Sequence, residues 1–424
     1  MSSLVSGAKL NIAVYNIMFI ISDSGYKGKK FAVFLLCYGS DYYLMGLLCT
    51  LYAHQKLVGA DIEIVVMCDE YIYKFKEHFE PRCDRIVLMN MDVLQGHHHL
   101  YKVEKYSQSW MNYIINKWHC LYFDEYAKIL FIDIDILVAD ESVYDIFTSY
   151  SEPYIFSCRK RAPSNCVKRF YYGNFEKKKY KDHYDYTTNG NFFLDGGFVL
   201  LTPGKKLHDE YYDFLAGLDF QNKKIISQIS TIDEVTLFYF IVHVKNLPFN
   251  CIKEADTYII PWKTNYLCDT KEEFQKYVKQ SNAFNYLSEV KPWNKPIPLM
   301  WPEEYIWKII EQRVISGSPF LKALSVRNSL YCYLYLDKNN DKTLQITNKS
   351  KRNDVYKFIE ILKKKFGSLT NKIFGKQAYD VIKASMVELL SYKEPLNALG
   401  SDVDLVGKCC GVIEGKKYKK LIYE

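Results

Sequence analysis

Three continuous apolar runs of strand length stand close together near the start of the chain: Phe31 to Gly39 (FAVFLLCYG), Ile62 to Glu70 (IEIVVMCDE) and Arg85 to Asn90 (RIVLMN). A strand that shows one face to water alternates apolar with polar residues. One covered on both faces reads as an unbroken apolar run. Between the first two lies DYYLMGLLCTLYAHQKL, where Leu44, Leu47, Leu48 and Leu51 recur at helical spacing. Strand, helix, strand repeated in this way predicts an α/β fold with a mostly parallel, doubly wound sheet. Ligands of such sheets bind beyond the carboxyl ends of the strands.

The next strand-length run ends on acid. KILFIDIDILVAD, Lys128 to Asp140, places Asp133 and Asp135 at the end of a run that otherwise reads as buried. Ions taken into an apolar interior cost several kcal/mol on the order of their desolvation penalty unless paired or bound. At period two, the two carboxylates share a side with Ile134 opposite. Hard oxygen ligands so spaced suit one Mg²⁺ or Mn²⁺, which in turn suits a diphosphate. A D-x-D triplet is common by chance, and a solvent-facing turn is the alternative reading. The preceding SWMNYIINKWHCLYFDEY reads as a helix with Trp110, Ile114, Trp118 and Leu121 on one side.

Further along, CRKRAPSNCVKRFYYGNFEKKKYKDHYDYTTNGN has no clean period and reads as a long excursion, either a lid over the site or a solvated insertion. NFFLDGGFVLLTPG returns to strand, interrupted at Asp195-Gly196-Gly197, where glycines permit close backbone approach. STIDEVTLFYFIV reads as a helix entered near Ser230 or Thr231, with Asp233 and Glu234 in its first turn. A change of character near residue 310 divides the chain into an N-terminal arm (1–30), a main domain (31–309) and a basic, mainly helical C-terminal region (310–424).

Composition narrows the field less than pattern does. The chain has 424 residues and a net charge of +7, concentrated after residue 310, where 21 Lys and Arg face 12 Asp and Glu out of 56 against 49 overall. A solvated surface explains such lysines better than a nucleic-acid site. Twelve cysteines without paired CxxC spacing suit free thiols in a reducing compartment, and a cytoplasmic location is expected. Asn11 to Ile21 is apolar but too short to span a membrane as a helix, and reads as an extra strand or a loose arm. The three histidines His97 to His99 read as a polar loop.

Four blocks in order carry a family resemblance: the opening strand with GSDYYLMG, NKWHCLYFDEYAKILFIDIDILV, FLDGGFVLLTP, and NYLSEVKPWN. From Phe31 to about Trp301 the chain resembles glycosyltransferase family 8, the glycogenin-like enzymes. That resemblance implies a GT-A fold, a UDP-sugar donor, Mn²⁺ or Mg²⁺, and transfer of a hexose with retention. It implies that Asp133 and Asp135 form the metal-binding pair. Lys117 would contact the donor and Lys291 would reach its diphosphate, with an exposed helix lysine and a loop lysine before Pro292 as the respective alternatives. Ser40 and Tyr43 would line the uridine pocket, Tyr43 having a core-edge position as its alternative. Asp195, Gly196 and Gly197 would lie beside the donor sugar and Asp233 near the reacting centre. Asn285 stands where the family often has a histidine as third metal ligand, and Ser288 where it has glycine. Neutral asparagine would weaken Mn²⁺ binding or favour Mg²⁺. Similar glycogenin-like proteins occur in large DNA viruses of insects, a source that an asparagine- and lysine-rich chain would suit.

The acceptor implied is a glycan or protein, with self-glycosylation on one of the 37 tyrosines and a homodimer as further expectations. Two other readings remain at this stage: a nucleotidyltransferase, and a catalytically inactive nucleotide-sugar-binding protein, for which Asn285 is the main argument.

Overall fold

The structure is a computed structural model that describes residues 20–21, 27–91, 109–160, 192–217, 232–253, 258–259, 281–286, 291–294, 304–325 and 327–328. Its strands are β1 (Ile20–Ile21), β2 (Phe31–Cys37), β3 (Ile62–Cys68), β4 (Arg85–Leu88), β5 (Lys128–Ile132), β6 (Ile136–Val138), β7 (Ile155–Lys160), β8 (Phe192–Leu201), β9 (Asn250–Lys253), β10 (Tyr258–Ile259) and β11 (Ala283–Asn285). The helices that matter here are α1 (Leu44–Leu57), α2 (Lys205–Ala216), α3 (Ile232–Tyr239) and α4 (Tyr305–Ile315).

Eight strands form a mixed, mostly parallel sheet in the order β1-β4-β3-β2-β5-β8-β7-β9. The runs that read as buried strands are its parallel centre: β2 lies between β3 and β5, parallel to both, and β4 is parallel to β3. Their continuous apolar character has a direct cause. Phe31, Val33, Leu35 and Cys37 face the layer containing α1 and α4, while Ala32, Phe34 and Leu36 face the layer containing α2 and α3. β8 runs antiparallel to both β5 and β7, and β1 closes the other edge antiparallel to β4. A second sheet, β10-β11-β6, sits beyond the end of β5.

Two local readings are corrected. Ser109–Tyr122 winds as a 3₁₀ helix instead of an amphipathic α-helix. Every residue from Ile114 to Leu121 is buried, so this segment has no solvent face for a 3.6-residue period to express. Asp133 to Asp135 leave strand geometry altogether. The Ile136 amide donates to the Asp133 carbonyl at 2.9 Å, closing a tight turn between β5 and β6. The period-two argument for the aspartates therefore does not apply.

α4 runs through residue 310, and Ile306, Trp307, Ile310, Val314, Leu321 and Leu324 belong to the same core as α1. The histidines His97 to His99, the excursion over 161–191, Ser230, Thr231, Ser288 and residues 329–424 lie outside the described residues. Among the described residues no helix is long and apolar enough to cross a membrane. Cys37, Cys49, Cys68, Cys83 and Cys120 carry free thiols.

Candidate active site

The site begins with the turn that ends β5. Asp133 is anchored by its own backbone, whose amide donates to the Gly197 carbonyl at 2.8 Å. Gly197 lies in a strong irregularity of β8: Val199 pairs with Phe156 and Asp195 with Ser157, so the residues between them bulge out of the ladder. The bulge brings Asp195-Gly196-Gly197 against the acidic turn. A Cβ on Gly197 would stand 2.9 Å from Asp133 Oδ2 and 3.0 Å from Asp195 Oδ1. One on Gly196 would stand 2.9 Å from Asp233 Oδ2 and 2.7 Å from Glu234 Cγ. Those spaces are shorter than side-chain contact allows, so a larger residue at either position would displace the neighbouring carboxylate side chains.

Two lysines balance the carboxylates. Lys117, from the 3₁₀ segment, puts Nζ 3.1 Å from Asp133 Oδ2 and 3.1 Å from Asp233 Oδ2. Burial alone would lower its pKa, but the charges of Asp133 and Asp233 outweigh that and hold it well above the usual lysine range. Asp233 is fully buried in the first turn of α3, where Trp118 Nε1 donates to its carbonyl at 3.0 Å. Its carboxylate oxygens accept no hydrogen bond among the described residues, which leaves Lys117 as its ion-pair partner there.

Asp133 is 32% exposed at its side chain. Desolvation nonetheless pushes its carboxyl up to about 7, with Lys117 pulling down and Asp135 and Asp233 pushing up. Lys291 Nζ sits 2.5 Å from Asp135 Oδ2 and donates to the Tyr286 carbonyl at 2.9 Å.

Asn285, at the end of β11, donates from Nδ2 to Asp195 Oδ2 at 3.2 Å, and Asp195 Oδ1 accepts from the Gly197 amide at 2.9 Å. Asn285 Oδ1 is buried and accepts nothing among the described residues. β11 pairs Asn285 with Ile136, and the Tyr286 amide donates to the Asp135 carbonyl at 2.9 Å, so this orphaned oxygen belongs to the neighbourhood of the turn.

Three groupings result: Lys117 with Asp133 and Asp233; Asp135 with Lys291; and Asp195 with Asn285 and Gly197. Ser40 and Tyr43 belong to a separate turn after β2. Gly39, at φ 77°, donates its amide to Asp69 Oδ2 at 2.8 Å, and Ser40 Oγ accepts from the Tyr42 amide at 3.2 Å. Ser40 is thus a cap. Tyr43 meets Tyr42 edge-on, and Asn294 Nδ2 donates to the Tyr42 hydroxyl, linking this turn to the one that carries Lys291.

Asp69, Tyr286 and Asn294 were not singled out from the sequence. Each acts through a carbonyl, a backbone cap or a distant partner, none of which leaves a pattern along the chain.

Among the described residues no three His, Cys, Asp or Glu side chains cluster as a ligand set. The named groups nevertheless suit a hard cation. Asp133 and Asp135 each face a lysine across the turn, and the buried Asn285 Oδ1, without a hydrogen-bond partner among the described residues, is the donor type that Mg²⁺ or Mn²⁺ takes.

Fold and site together define a mixed α/β protein with an acidic turn at the carboxyl end of a central parallel strand. No protein-family model matches the chain, and no curated protein matches it. Among solved structures it is similar to an active-site mutant of LgtC at 12% identity, over 66% of this chain and 95% of that one, with a TM-score of 0.43. The galactosyltransferase LgtC with donor and acceptor sugar analogues is 13% identical over 62% and 89%, TM-score 0.38. The glycosyltransferase GlyE of Streptococcus pneumoniae is 10% identical over 72% and 64%, TM-score 0.40.

Proposed function

We propose that this protein is a metal-dependent, retaining glycosyltransferase of the GT-A kind that moves a hexose from a UDP-sugar to a glycan or protein hydroxyl. The observation that carries the reading is the turn of Asp133 and Asp135, each carboxylate held by a lysine, beside the Oδ1 of Asn285, which has no hydrogen-bond partner among the described residues. The order of the four sequence blocks supports it independently.

Asp133, Asp135 and Asn285 would hold the cation. When bound, it supplies positive charge against the diphosphate that leaves with the nucleoside. Lys291 and Lys117 would add positive charge on either side of the turn, where the leaving group develops its negative charge. Asp233, buried and paired only with Lys117 among the described residues, would stabilise positive charge at the sugar carbon or orient the acceptor hydroxyl. Gly196 and Gly197 let the Asp133, Asp233 and Glu234 side chains pack directly against the β8 backbone.

The test is UDP release from a panel of UDP-sugars, with and without Mn²⁺ or Mg²⁺, beside Asp133→Ala and Asp135→Ala. Metal-dependent release that is lost in both variants is expected, and intact mass then reports whether a sugar has been added to the chain itself. UDP binding with no release from any donor would make it an inactive nucleotide-sugar-binding protein. Pyrophosphate release from a nucleoside triphosphate would make it a nucleotidyltransferase.

A further inference from the structure

The turn that carries Ser40 and Tyr43 is gripped from a point 286 residues away. Arg327 Nη1 donates to Asp41 Oδ2 at 2.7 Å, and both side chains are almost wholly buried. The same guanidinium donates through Nε and Nη2 to Asn328 Oδ1, at 3.3 and 2.9 Å, which fixes its plane.

The segment bearing Arg327 is itself held down. Leu321 and Leu324 enter the core, Ser325 Oγ donates to Glu311 Oε1, and Lys308 Nζ donates to Glu311 Oε2 at 2.6 Å. A buried ion pair is weak evidence for stability, because apolar residues of similar volume do as well or better. What it provides is one fixed geometry, and here the element fixed is Asp41–Tyr43.

That geometry passes onward through contacts already described. Tyr42 follows Asp41, its hydroxyl accepts from Asn294 Nδ2, and its ring meets Trp293 edge-on at 6.3 Å. The Asn294 amide donates to the Lys291 carbonyl at 2.9 Å, and Lys291 Nζ reaches Asp135. An unbroken chain of packed and hydrogen-bonded groups therefore joins the C-terminal segment to the acidic turn.

We propose that Arg327 is a positioning residue for the nucleotide site: through Asp41 it holds the turn of Ser40 and Tyr43, and through Tyr42 and Asn294 the turn of Lys291. This rests on the donor reading above.

The probe is UDP with Mn²⁺, titrated calorimetrically into the full chain as wild type, Arg327→Met, and the double variant Asp41→Asn/Arg327→Met, with thermal unfolding measured for each. Arg327→Met leaves Asp41 buried without a counter-charge, so part of its effect is loss of fold. The double variant removes that charge and recovers the unfolding temperature. The expected result is UDP binding about tenfold weaker in both variants at unchanged stoichiometry, with KM for the donor raised and kcat unchanged in turnover.

Wild-type UDP affinity in a folded double variant would overturn the proposal, as would a lowered binding stoichiometry with unchanged affinity, the mark of a purely structural role. A wild-type protein that binds no UDP would instead overturn the donor reading, and this inference with it, before any variant is compared.

Discussion

Lys117 is the charge on which the site depends most, and Lys117→Met tests it. The substitution keeps an unbranched side chain in a buried position but removes the cation that lies 3.1 Å from both Asp133 and Asp233. The consequences for the two carboxylates differ. Asp133 is one-third exposed and can take up water, whereas Asp233 is fully enclosed and its oxygens accept no hydrogen bond among the described residues. Removing one partner of a buried pair costs about 3 to 5 kcal/mol. Taking about 3 kcal/mol, and about 2 to 4 °C per kcal/mol for a domain of this size, unfolding should move down by about 6 to 12 °C.

Two controls make the reasoning specific. The double variant Lys117→Met/Asp233→Leu removes both charges and should regain most of the loss, because deleting a pair together leaves no orphan. The deficit of Lys117→Met should also shrink as pH falls, since without Lys117 nothing of its charge opposes the burial that raises the Asp133 carboxyl, and protonation relieves it. Thermal unfolding by circular dichroism between pH 5 and 8 reads all three. A Lys117→Met protein as stable as wild type, or a double variant no better than the single one, would refute the argument.

Three other outcomes follow from particular contacts. Gly197→Ala puts a Cβ 2.9 Å from Asp133 Oδ2, so UDP release should fall about tenfold or more through displaced geometry, while circular dichroism shows a retained fold. Truncation after Ile309 strips Ile310, Val314, Leu321 and Leu324 from the core, a loss of about 6 to 12 kcal/mol at 1.5 to 3 per side chain; it should yield no folded protein, whereas truncation after Asn328 should leave cooperative unfolding on heating. His54 is buried against the Tyr144 hydroxyl at 2.6 Å, and burial lowers its pKa from 6.5 to about 3. The unfolded chain therefore binds the extra proton between those values, and stability should be lost as pH falls from about 6.5 toward 3, by about 5 kcal/mol at most. His54→Gln should flatten that slope in urea titrations.

The sequence made the central sheet legible because both-face burial leaves a one-dimensional mark: β2, β3, β4 and β5 stand where continuous apolar runs stood. It left the 3₁₀ winding of Ser109–Tyr122 illegible, because Trp110, Ile114, Trp118 and Leu121 fall at helical spacing while the polar Asn116, Lys117 and His119 between them are buried. Asp133 and Asp135 drew attention as charges in an apolar run, but that they form a turn depends on β6 leaving to pair with β11, 145 or more residues later. Local spacing does not encode such a pairing. The Asp41–Arg327 contact is the extreme case, since neither residue is unusual in its own neighbourhood and only the fold makes them partners.

The ion pairs bear on what the site is built to do. Asp135 is held by a lysine 156 residues away that is only partly buried, and Asp133 by one buried beside Phe131. The two lysines are therefore not equivalent. Lys117 is fixed between two carboxylates and cannot leave one without exposing the other to an unpaired state. Among the described residues Lys291 has one carboxylate partner, Asp135, and a backbone carbonyl in Tyr286, and its flexible stem can swing from Asp135 to a phosphate at little cost. Replacement of Lys291 should weaken UDP binding with little change in fold, while replacement of Lys117 should damage both. The same physical difference, one charge shared between two acids and the other held, among the described residues, by one, separates a cation fixed in the fold from one that can reorient.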